Sequence, residues 1–333
     1  MTSNLRSRRA LALALATSAL AATTAACGSD DGDDASSAAR PAPPASEFPA
    51  TQGRTLEQVL GAAGGEGPVV SPAAQVLRVG ENRFPFGVFT VEREQIIDAE
   101  VAIYAAPGGL GGRATGPFPA RIDDLETEDA FRARSTADDP DAATVAYVSD
   151  VDLPQPGKWA FAALLRDGDS YAASLLATPS LVGQFDDVPG PGDRAPRVST
   201  PTVDDAPDVS EIDTRVPPSS LHDEDLADVL GRKPAVLLFA TPALCQSRVC
   251  GPVADVAEQV KRDYGDRVAF IHQEVYNDND LNKGVRPQMR AYNLPTEPWL
   301  FVIDRDGVIR TAIEGPFGVA ELDAAVSRVA GPA

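Results

Sequence analysis

The chain has 333 residues, of which 43% are hydrophobic, and a formal net charge of -20. The length accommodates two ordinary domains, and the apolar fraction can fill hydrophobic cores, which excludes a globally disordered chain. The negative charge excludes binding of nucleic acid or of anionic lipid through a basic patch.

The N-terminus predicts an export signal. Three arginines precede an almost uninterrupted apolar run over 10–22, which is the order of charged and hydrophobic regions in a signal peptide. The run is shorter than the about 20 residues that a membrane-spanning helix needs. It ends in TAACG at 24–28, which resembles a bacterial lipoprotein signal, although Thr24 stands where that family usually has Leu. The resemblance implies that residues 1–27 end in a lipidated Cys27, which anchors the protein on the extracytoplasmic face of the cell membrane.

Residues 28–67 are predicted to form a disordered, flexible tether. The segment begins with four aspartates within five positions and continues with Ser, Ala and Pro. Up to residue 49 it has scarcely a large apolar side chain, so it cannot bury enough surface to offset the entropy lost on ordering.

The segment 68–186 predicts an all-β domain. Short runs of strand-forming residues are separated by turn residues, a pattern typical of a β-sandwich. The candidate strands cover 75–79, 84–90, 100–104, 144–149, 158–165 and 170–176. The sequence RDGD at 166–169 predicts a hairpin turn. The segment resembles the small immunoglobulin-like domains of exported bacterial proteins. Because it contains no His and no Cys, we expect a spacer or a binding module.

Residues 187–219 are predicted to be a linker, since Pro, Gly and Asp recur and apolar residues are isolated. From residue 220 to 333 the pattern changes to alternating helices and strands. The predicted helices cover 221–230, 252–265, 288–292 and 319–329, and the predicted strands cover 235–240, 268–275, 299–303 and 308–313. The order of the core elements is therefore β, α, β, α, β, β, α.

This order resembles the thioredoxin fold. Three pieces of sequence carry the resemblance, namely FATPALC at 239–245, CGP at 250–252 and TEPWLF at 296–301. The resemblance implies a thioredoxin-like α/β domain over 220–333. It also implies that Pro298 is the cis-proline that faces the cysteine pair, with Pro295 as the nearby competitor.

The chemistry implied is thiol–disulfide exchange, in which a thiolate attacks a disulfide and a second thiol resolves the mixed disulfide. A helix N-terminus stabilises such a thiolate. Cys250 precedes Gly251 and Pro252, so it is expected at a helix N-terminus, with Cys245 in the loop above it. If Cys27 is lipidated, these two cysteines remain as a pair in a compartment where disulfides persist.

The cysteine spacing departs from the family, which has C-x2-C where this chain has C-x4-C. Counting from Phe239 makes Cys245 the attacking cysteine, and this alignment is favoured. Matching CGP to the family's CGPC instead makes Cys250 the attacker, with Val253 in place of its usual partner. Leu238 stands where many thioredoxins carry a buried acid.

The leading hypothesis is a membrane-anchored protein that exchanges disulfides with exported thiol or disulfide proteins. No cofactor and no resident metal ion is assigned. The first alternative is a binding lipoprotein whose cysteines form a structural disulfide. The second is copper handling similar to that of Sco-type chaperones, with His272 as the third ligand. A peroxidase is disfavoured because Pro242 occupies the position of a required Thr.

The remaining polar candidates are predicted to be structural. His272 is expected on a half-buried strand and His222 on the surface at a helix start. Asp278, Asp280 and Asn282 alternate as in a calcium loop, but Gly and Glu are missing from the positions that such a loop requires. A solvated loop is therefore expected there.

Overall fold

The computed structural model describes residues 39–177 and 181–333. The predicted signal peptide, Cys27 and the first part of the predicted tether lie outside the described residues. Within the described part of the chain, no helix has both the length and the apolar character that a membrane span requires.

Residues 65–176, called the β part here, form an eight-stranded sheet. Its strands are β1 Gly65–Glu66, β2 Val69–Pro72, β3 Gly80–Phe89, β4 Glu100–Pro107, β5 Thr115–Asp124, β6 Val145–Leu153, β7 Trp159–Asp167 and β8 Ser170–Leu176. A short helix, α2 (Arg134–Ala137), lies in the connection between β5 and β6. The spatial order is β1-β8-β7-β4-β5-β6-β3-β2, and only the pair β1–β8 is parallel. The first half of β5 pairs with β4 and its second half with β6, so this strand joins the two halves of the sheet.

The two faces of strand β4 explain why this sheet needs a cover. Successive side chains of a strand point to opposite faces, and in β4 both sets are apolar. Val101 and Ile103 enter the core between the two halves of the sheet. Ala102 and Tyr104 enter a second cluster on the outer face.

The cover of that outer face corrects the prediction of a flexible tether over 28–67. Residues 39–66 are packed on the sheet and include helix α1 (Leu56–Leu60), which begins with a capping box between Thr55 and Gln58. Phe48, Leu56 and Val59 bury their side chains against Ala102 and Tyr104. The few apolar residues of this polar segment thus complete a hydrophobic core whose other members lie far away in the sequence. Residues 28–38 lie outside the described part.

Most of the predicted strands of the β part are confirmed, as is the turn at 166–169. The prediction of a strand over 75–79 is wrong. This segment runs alongside the sheet and donates the Gln75 and Val76 N–H groups to the Glu314 carboxylate, both at 2.8 Å. Strands β1, β2 and β5 were missed. Pro117 and Pro119 lie inside β5, and proline normally argues against a paired strand.

Residues 220–333, called the α/β part here, form a four-stranded sheet with helices around it. The elements are α3 Leu226–Val229, β9 Ala235–Phe239, α4 Cys250–Tyr264, β10 Ala269–Gln273, α5 Pro287–Ala291, β11 Trp299–Ile303, β12 Ile309–Glu314 and α6 Val319–Ala330. The sheet order is β10-β9-β11-β12, with β9 and β10 parallel and the other pairs antiparallel. The predicted order of the core elements is confirmed. The Glu297–Pro298 peptide bond is cis.

Strand β9 lies in the centre of this sheet and is buried on both faces. Val236 and Leu238 pack against helices α4 and α6, whereas Leu237 and Phe239 pack on the opposite side. Because β9 is packed on both faces, its carboxyl end is fixed in position. The loop that contains Cys245 begins at this end.

The predicted helix over 221–230 is shorter in the structure and covers only Leu226–Val229. The Asp225 carboxylate accepts the N–H of Ala227 and so caps the helix at that point. It also accepts the N–H of Thr200, at 2.8 Å. Residues 221–225 are therefore free to turn inward, which places His222 in the interior.

Residues 187–219 contain one short 3-10 helix, Val209–Glu211, and otherwise follow an irregular path. The segment is packed against the rest of the molecule, since Val188, Asp213 and Arg215 are buried. Ser37–Ala333 form one compact unit. The domain boundaries at 186/187 and 219/220 stay predictions.

Candidate functional site

The cysteine pair lies where strand β9 leads into helix α4. Cys250 is the first residue of α4, and Cys245 lies in the preceding loop, residues 245–250, called the cysteine loop here. Both are free thiols. Cys245 is 6% exposed and Cys250 is fully buried. The predicted positions are therefore confirmed, and Cys245 is the more accessible of the two by a small margin.

The two sulfur atoms have different electrostatic surroundings. The Cys250 thiol hydrogen-bonds to the Cys245 sulfur, and this contact, together with the Ser247 hydroxyl at 3.2 Å and the N–H groups of Val249 and Cys250, lowers the pKa of Cys245 to about 6. Burial raises the pKa of Cys250 well above its ordinary value, and the neighbouring Cys245 adds to this. These shifts favour the thiolate form of Cys245 and the protonated form of Cys250, as the first of the two alignments requires.

Glu297 and Pro298 immediately precede β11, and Glu297 is close enough to Cys245 to feel its charge. Glu297 is half-buried, and burial together with the Cys245 charge raises its pKa to about 7. The Tyr276 hydroxyl donates to Oε1 of Glu297 at 3.3 Å. Leu238 on β9 is buried and apolar, so this strand supplies no acid to the cysteine pair. Glu297, which precedes β11, is an acid near the pair. The only sequence signal for it was its position next to the predicted cis-proline.

The β part also contacts the cysteine loop. Arg248, which has a left-handed backbone (φ 60°), pairs through Nη1 with the Asp139 carboxylate at 2.9 Å and accepts the N–H of Ala143 at 3.1 Å. A side chain at Gly251 would meet the Thr136 hydroxyl at 2.9 Å. The β part therefore supplies packing to the cysteine site, and the glycine after Cys250 is required by that close approach.

A second polar cluster corrects both histidine predictions. His222 was expected on the surface and His272 on a half-buried strand, yet each is 1% exposed. Nε2 of His222 lies 3.2 Å from Nδ1 of His272, and both rings face the carboxylate of Asp213 at 3.3 and 3.7 Å. Burial disfavours the charged form of His272, but Asp213 offsets this and raises the pKa of His272 to about 9. Asp213 lies in the predicted linker, so no local pattern revealed the cluster.

One peptide unit connects this cluster with the cysteine pair. Nε2 of His272 lies 3.0 Å from the carbonyl oxygen of Ala240. The N–H of the same peptide unit, carried by Thr241, donates to the Cys250 sulfur. The histidines thus lie behind the cysteines and do not face them.

The structure does not bring together the ligands that Sco-like copper handling would use. Among the described residues, the His, Cys, Asp and Glu side chains close enough to hold one ion are those of Asp213, His222 and His272, without either cysteine. In the loop at 278–282, Asp278 and Asn282 are exposed and Asp280 is half-buried, and Lys283 forms a 3.0 Å ion pair with Asp278.

Comparison with solved structures finds thioredoxin-like proteins. One is a thioredoxin-like superfamily protein with 20% sequence identity and a TM-score of 0.27, covering 33% of this chain and 88% of that one. Another is a thiol:disulfide interchange protein, a thioredoxin family protein from Chlorobium tepidum TLS, with 21% identity and a TM-score of 0.29, covering 43% and 97%. No protein-family model matches the chain, and no curated protein matches it.

Proposed function

We propose that this chain is a thioredoxin-like protein that exchanges disulfides with exported partners, with Cys245 as the attacking and Cys250 as the resolving cysteine. The observation that carries the proposal is the asymmetry of the pair. Cys245 has a pKa of about 6, whereas the pKa of Cys250 is raised. A pair that only staples a loop has no need of a stabilised thiolate on one side and a retained proton on the other.

The exchange proceeds in two displacements. The Cys245 thiolate attacks one sulfur of a partner disulfide, the partner's S–S bond breaks, and its second sulfur leaves as a thiolate. Cys250 then loses its proton and attacks the Cys245 sulfur, which releases the partner as a dithiol and leaves a Cys245–Cys250 disulfide. The partner gains two electrons and the pair loses two. The reverse sequence oxidises a partner dithiol.

Glu297 is the proposed acceptor of the Cys250 proton. With a pKa of about 7 it changes its protonation state near neutral pH. Burial, and in addition the Cys245 and Glu297 charges, raise the pKa of Cys250, so that Cys250 keeps its proton while Cys245 is a thiolate. Once Cys245 is bound in a mixed disulfide, its negative charge is gone and Cys250 ionises more readily. Pro298, next to Glu297, shapes the surface on which the partner backbone docks.

The location and the β part belong to the same proposal. The TAACG sequence at 24–28 supports lipid anchoring through Cys27 at the extracytoplasmic face of the cell membrane. The strand order supports an immunoglobulin-like class for the β part. One half of its sheet is ordered β2-β3-β6-β5 and the other β4-β7-β8, which corresponds to the A-B-E-D and C-F-G sheets of that fold.

The second candidate function is that of a binding protein with a structural disulfide. It is favoured by the burial of both sulfurs, at 6% and 0% exposure, and by the ion pair that ties Arg248 in the cysteine loop to Asp139. A disulfide that partner thiols cannot reach, in a loop that an ion pair holds in place, would resist reduction.

The reduction potential of the pair distinguishes the two functions. We would equilibrate the full-length chain carrying Cys27→Ser, which leaves a single pair of thiols, in glutathione and dithiothreitol buffers and quantify the thiols by mass-labelling. Exchange predicts a value between about -100 and -270 mV. A value below about -300 mV is that of a structural bond and would replace the exchange proposal by the binding protein.

A further inference from the structure

The second polar cluster is not used by the exchange chemistry. It consists of Asp213 in the irregular segment 187–219, His222 before helix α3 and His272 on strand β10. All three side chains are buried, at 0–1% side-chain exposure. They come from three separate stretches of chain and meet at one point.

The distances in the cluster match those between the ligands of one metal ion. The two facing ring nitrogens are 3.2 Å apart, and the carboxylate oxygens lie 3.3 Å from His222 Nε2 and 3.7 Å from His272 Nδ1. Ligands at about 2.1 Å from a tetrahedral zinc ion are about 3.4 Å apart. The Asp213 carboxylate faces both histidines, so that one of its oxygens can complete a set of three protein ligands.

The hydrogen bonds at the other side of each ring point to the same conclusion. Nε2 of His272 lies 3.0 Å from the carbonyl oxygen of Ala240, and Nδ1 of His222 lies 3.5 Å from that of Pro201. A carbonyl oxygen accepts only, so these are the nitrogens that carry hydrogen. An imidazole that binds a metal ion must be neutral and then has one N–H, so that in the metal-bound form the two remaining lone pairs face each other and the carboxylate. Metal-binding histidines commonly donate their other N–H to such an acceptor.

Charge also favours a cation at this point. The Asp213 carboxylate accepts hydrogen bonds from the backbone N–H groups of Arg215 and Ser219 and faces the two histidines. Among the described residues it forms no ion pair with Lys or Arg. Glu274 is 1% exposed and acts electrostatically on His272, and its Oε2 has no hydrogen-bond partner. Arg286 offsets part of the Glu274 charge but donates its own N–H groups elsewhere. Buried carboxylates need a compensating positive charge.

We propose that Asp213, His222 and His272 form a structural binding site for one divalent transition-metal ion of the zinc type. Two imidazoles and a carboxylate suit zinc and its first-row neighbours, whereas calcium and magnesium prefer oxygen ligands alone. All three side chains are closed off from solvent, which suits a structural rather than a catalytic ion. The ion would fasten the irregular segment 187–219 to the edge strand β10.

The test uses the full-length chain with Cys27→Ser, Cys245→Ser and Cys250→Ser, stripped of metal with a chelator. This variant removes every thiol, so that a metal bound by cysteine cannot imitate the site. We expect one Zn²⁺ per chain by calorimetry and a higher Tm with Zn²⁺ than with Mg²⁺. Co²⁺ is expected to give visible ligand-field bands without a thiolate charge-transfer band.

The matched variants are His222→Gln, which removes a ligand, and Asp278→Asn, which removes an exposed carboxylate outside the cluster. We expect zinc affinity to fall at least tenfold in the first and to stay unchanged in the second, with folding checked by circular dichroism. If His222→Gln does not fold, the thiol-free parent decides by stoichiometry and Tm alone. Absence of stoichiometric binding by that parent, or binding that survives in folded His222→Gln, would overturn the proposal and identify a proton-bridged His–Asp–His cluster.

Discussion

Cys245 and Cys250 differ in what surrounds their sulfur atoms, although only four residues separate them. The Cys245 sulfur receives hydrogen bonds from the Cys250 thiol, the Ser247 hydroxyl and two backbone N–H groups. Cys250 is fully buried, and the burial raises its pKa. The proposed roles of attacking and resolving cysteine therefore rest on differences in solvation and hydrogen bonding that the C-x4-C spacing does not show.

The low pKa of Cys245 predicts the pH dependence of its alkylation. Iodoacetamide reacts with the thiolate, so the rate for the reduced Cys27→Ser chain should rise to a plateau with a midpoint near pH 6. Ser247→Ala removes one hydrogen bond to the sulfur and should raise the midpoint by about one pKa unit, since a hydrogen bond to a charged group contributes about 1.5 kcal/mol.

The matched control is Ser247→Thr, which keeps the hydroxyl and should keep the midpoint. Mass spectrometry of the modified chain identifies which cysteine reacted. Labelling of Cys250 before Cys245, or a rate that still climbs above pH 8, would contradict the assignment.

At the scale of an element, helix α4 is held from both sides. Its apolar face packs on the sheet through residues such as Val253, Val256 and Val260. Its other side carries Asp255, which is 1% exposed and pairs with Nε of Arg215 at 2.7 Å. The second oxygen of Asp255 accepts the N–H of Ala133 from the β part. The helix that presents Cys250 is therefore fixed by segments outside the α/β part.

Asp255→Asn is expected to lower the free energy of unfolding by about 3 kcal/mol. The variant keeps the shape of the side chain but leaves the Arg215 guanidinium buried without a counter-charge, and breaking a buried pair from one side costs about 3–5 kcal/mol. Urea denaturation measures the loss. The double variant Asp255→Leu with Arg215→Met removes both charges and should recover most of the lost free energy of unfolding. A double variant that is no more stable than Asp255→Asn would contradict this and show that the ion pair itself supplies the stability.

At the scale of the whole molecule, the β part and the α/β part are joined by an ion network. Glu321 on helix α6 accepts two hydrogen bonds from Arg83 at 2.8 Å and one from Arg121 at 3.0 Å. Nearby, Glu314 on β12 accepts two backbone N–H groups from the β part. The β part therefore packs against the helix and the strand that complete the α/β part, and its role as a spacer or a binding module stays a prediction.

Glu321→Gln is expected to lower the free energy of unfolding by about 1–2 kcal/mol. The value lies between those of exposed and buried ion pairs, because the three side chains are about one-fifth to one-quarter exposed. Burial opposes ionisation of Glu321, but Arg83 and Arg121 lower its pKa. The stabilisation is thus present above the ordinary value of about 4.5 and is lost as the pH falls below it.

The measurement is urea denaturation of wild type and variant at pH 7 and at pH 3, where the difference in the free energy of unfolding should be smaller. The control is Asp278→Asn, which breaks an exposed pair with Lys283 and should change stability by less than about 0.5 kcal/mol. An equal effect of the two substitutions at pH 7 would show that the network does not hold the two parts together.

The sequence by itself determined the features that depend on neighbouring residues. Apolar alternation and turn residues placed most strands, helical spacing placed α4 and α6, and the motifs placed Cys250 at a helix start and Pro298 at the start of a strand. These patterns are short-range because helix and strand geometry repeats every few residues. The same patterns did not predict β5, because Pro117 and Pro119 lie inside this paired strand and proline normally indicates that a strand ends.

Only the tertiary structure decided which distant residues meet. Phe48 and Leu56 cover a sheet face, Glu297 approaches the cysteine pair, and Asp213 joins two histidines that looked unrelated in sequence. None of these contacts leaves a periodic trace, because each depends on how whole strands and helices pack. Burial, and with it the pKa of each sulfur and each carboxyl group, is a property of that packing.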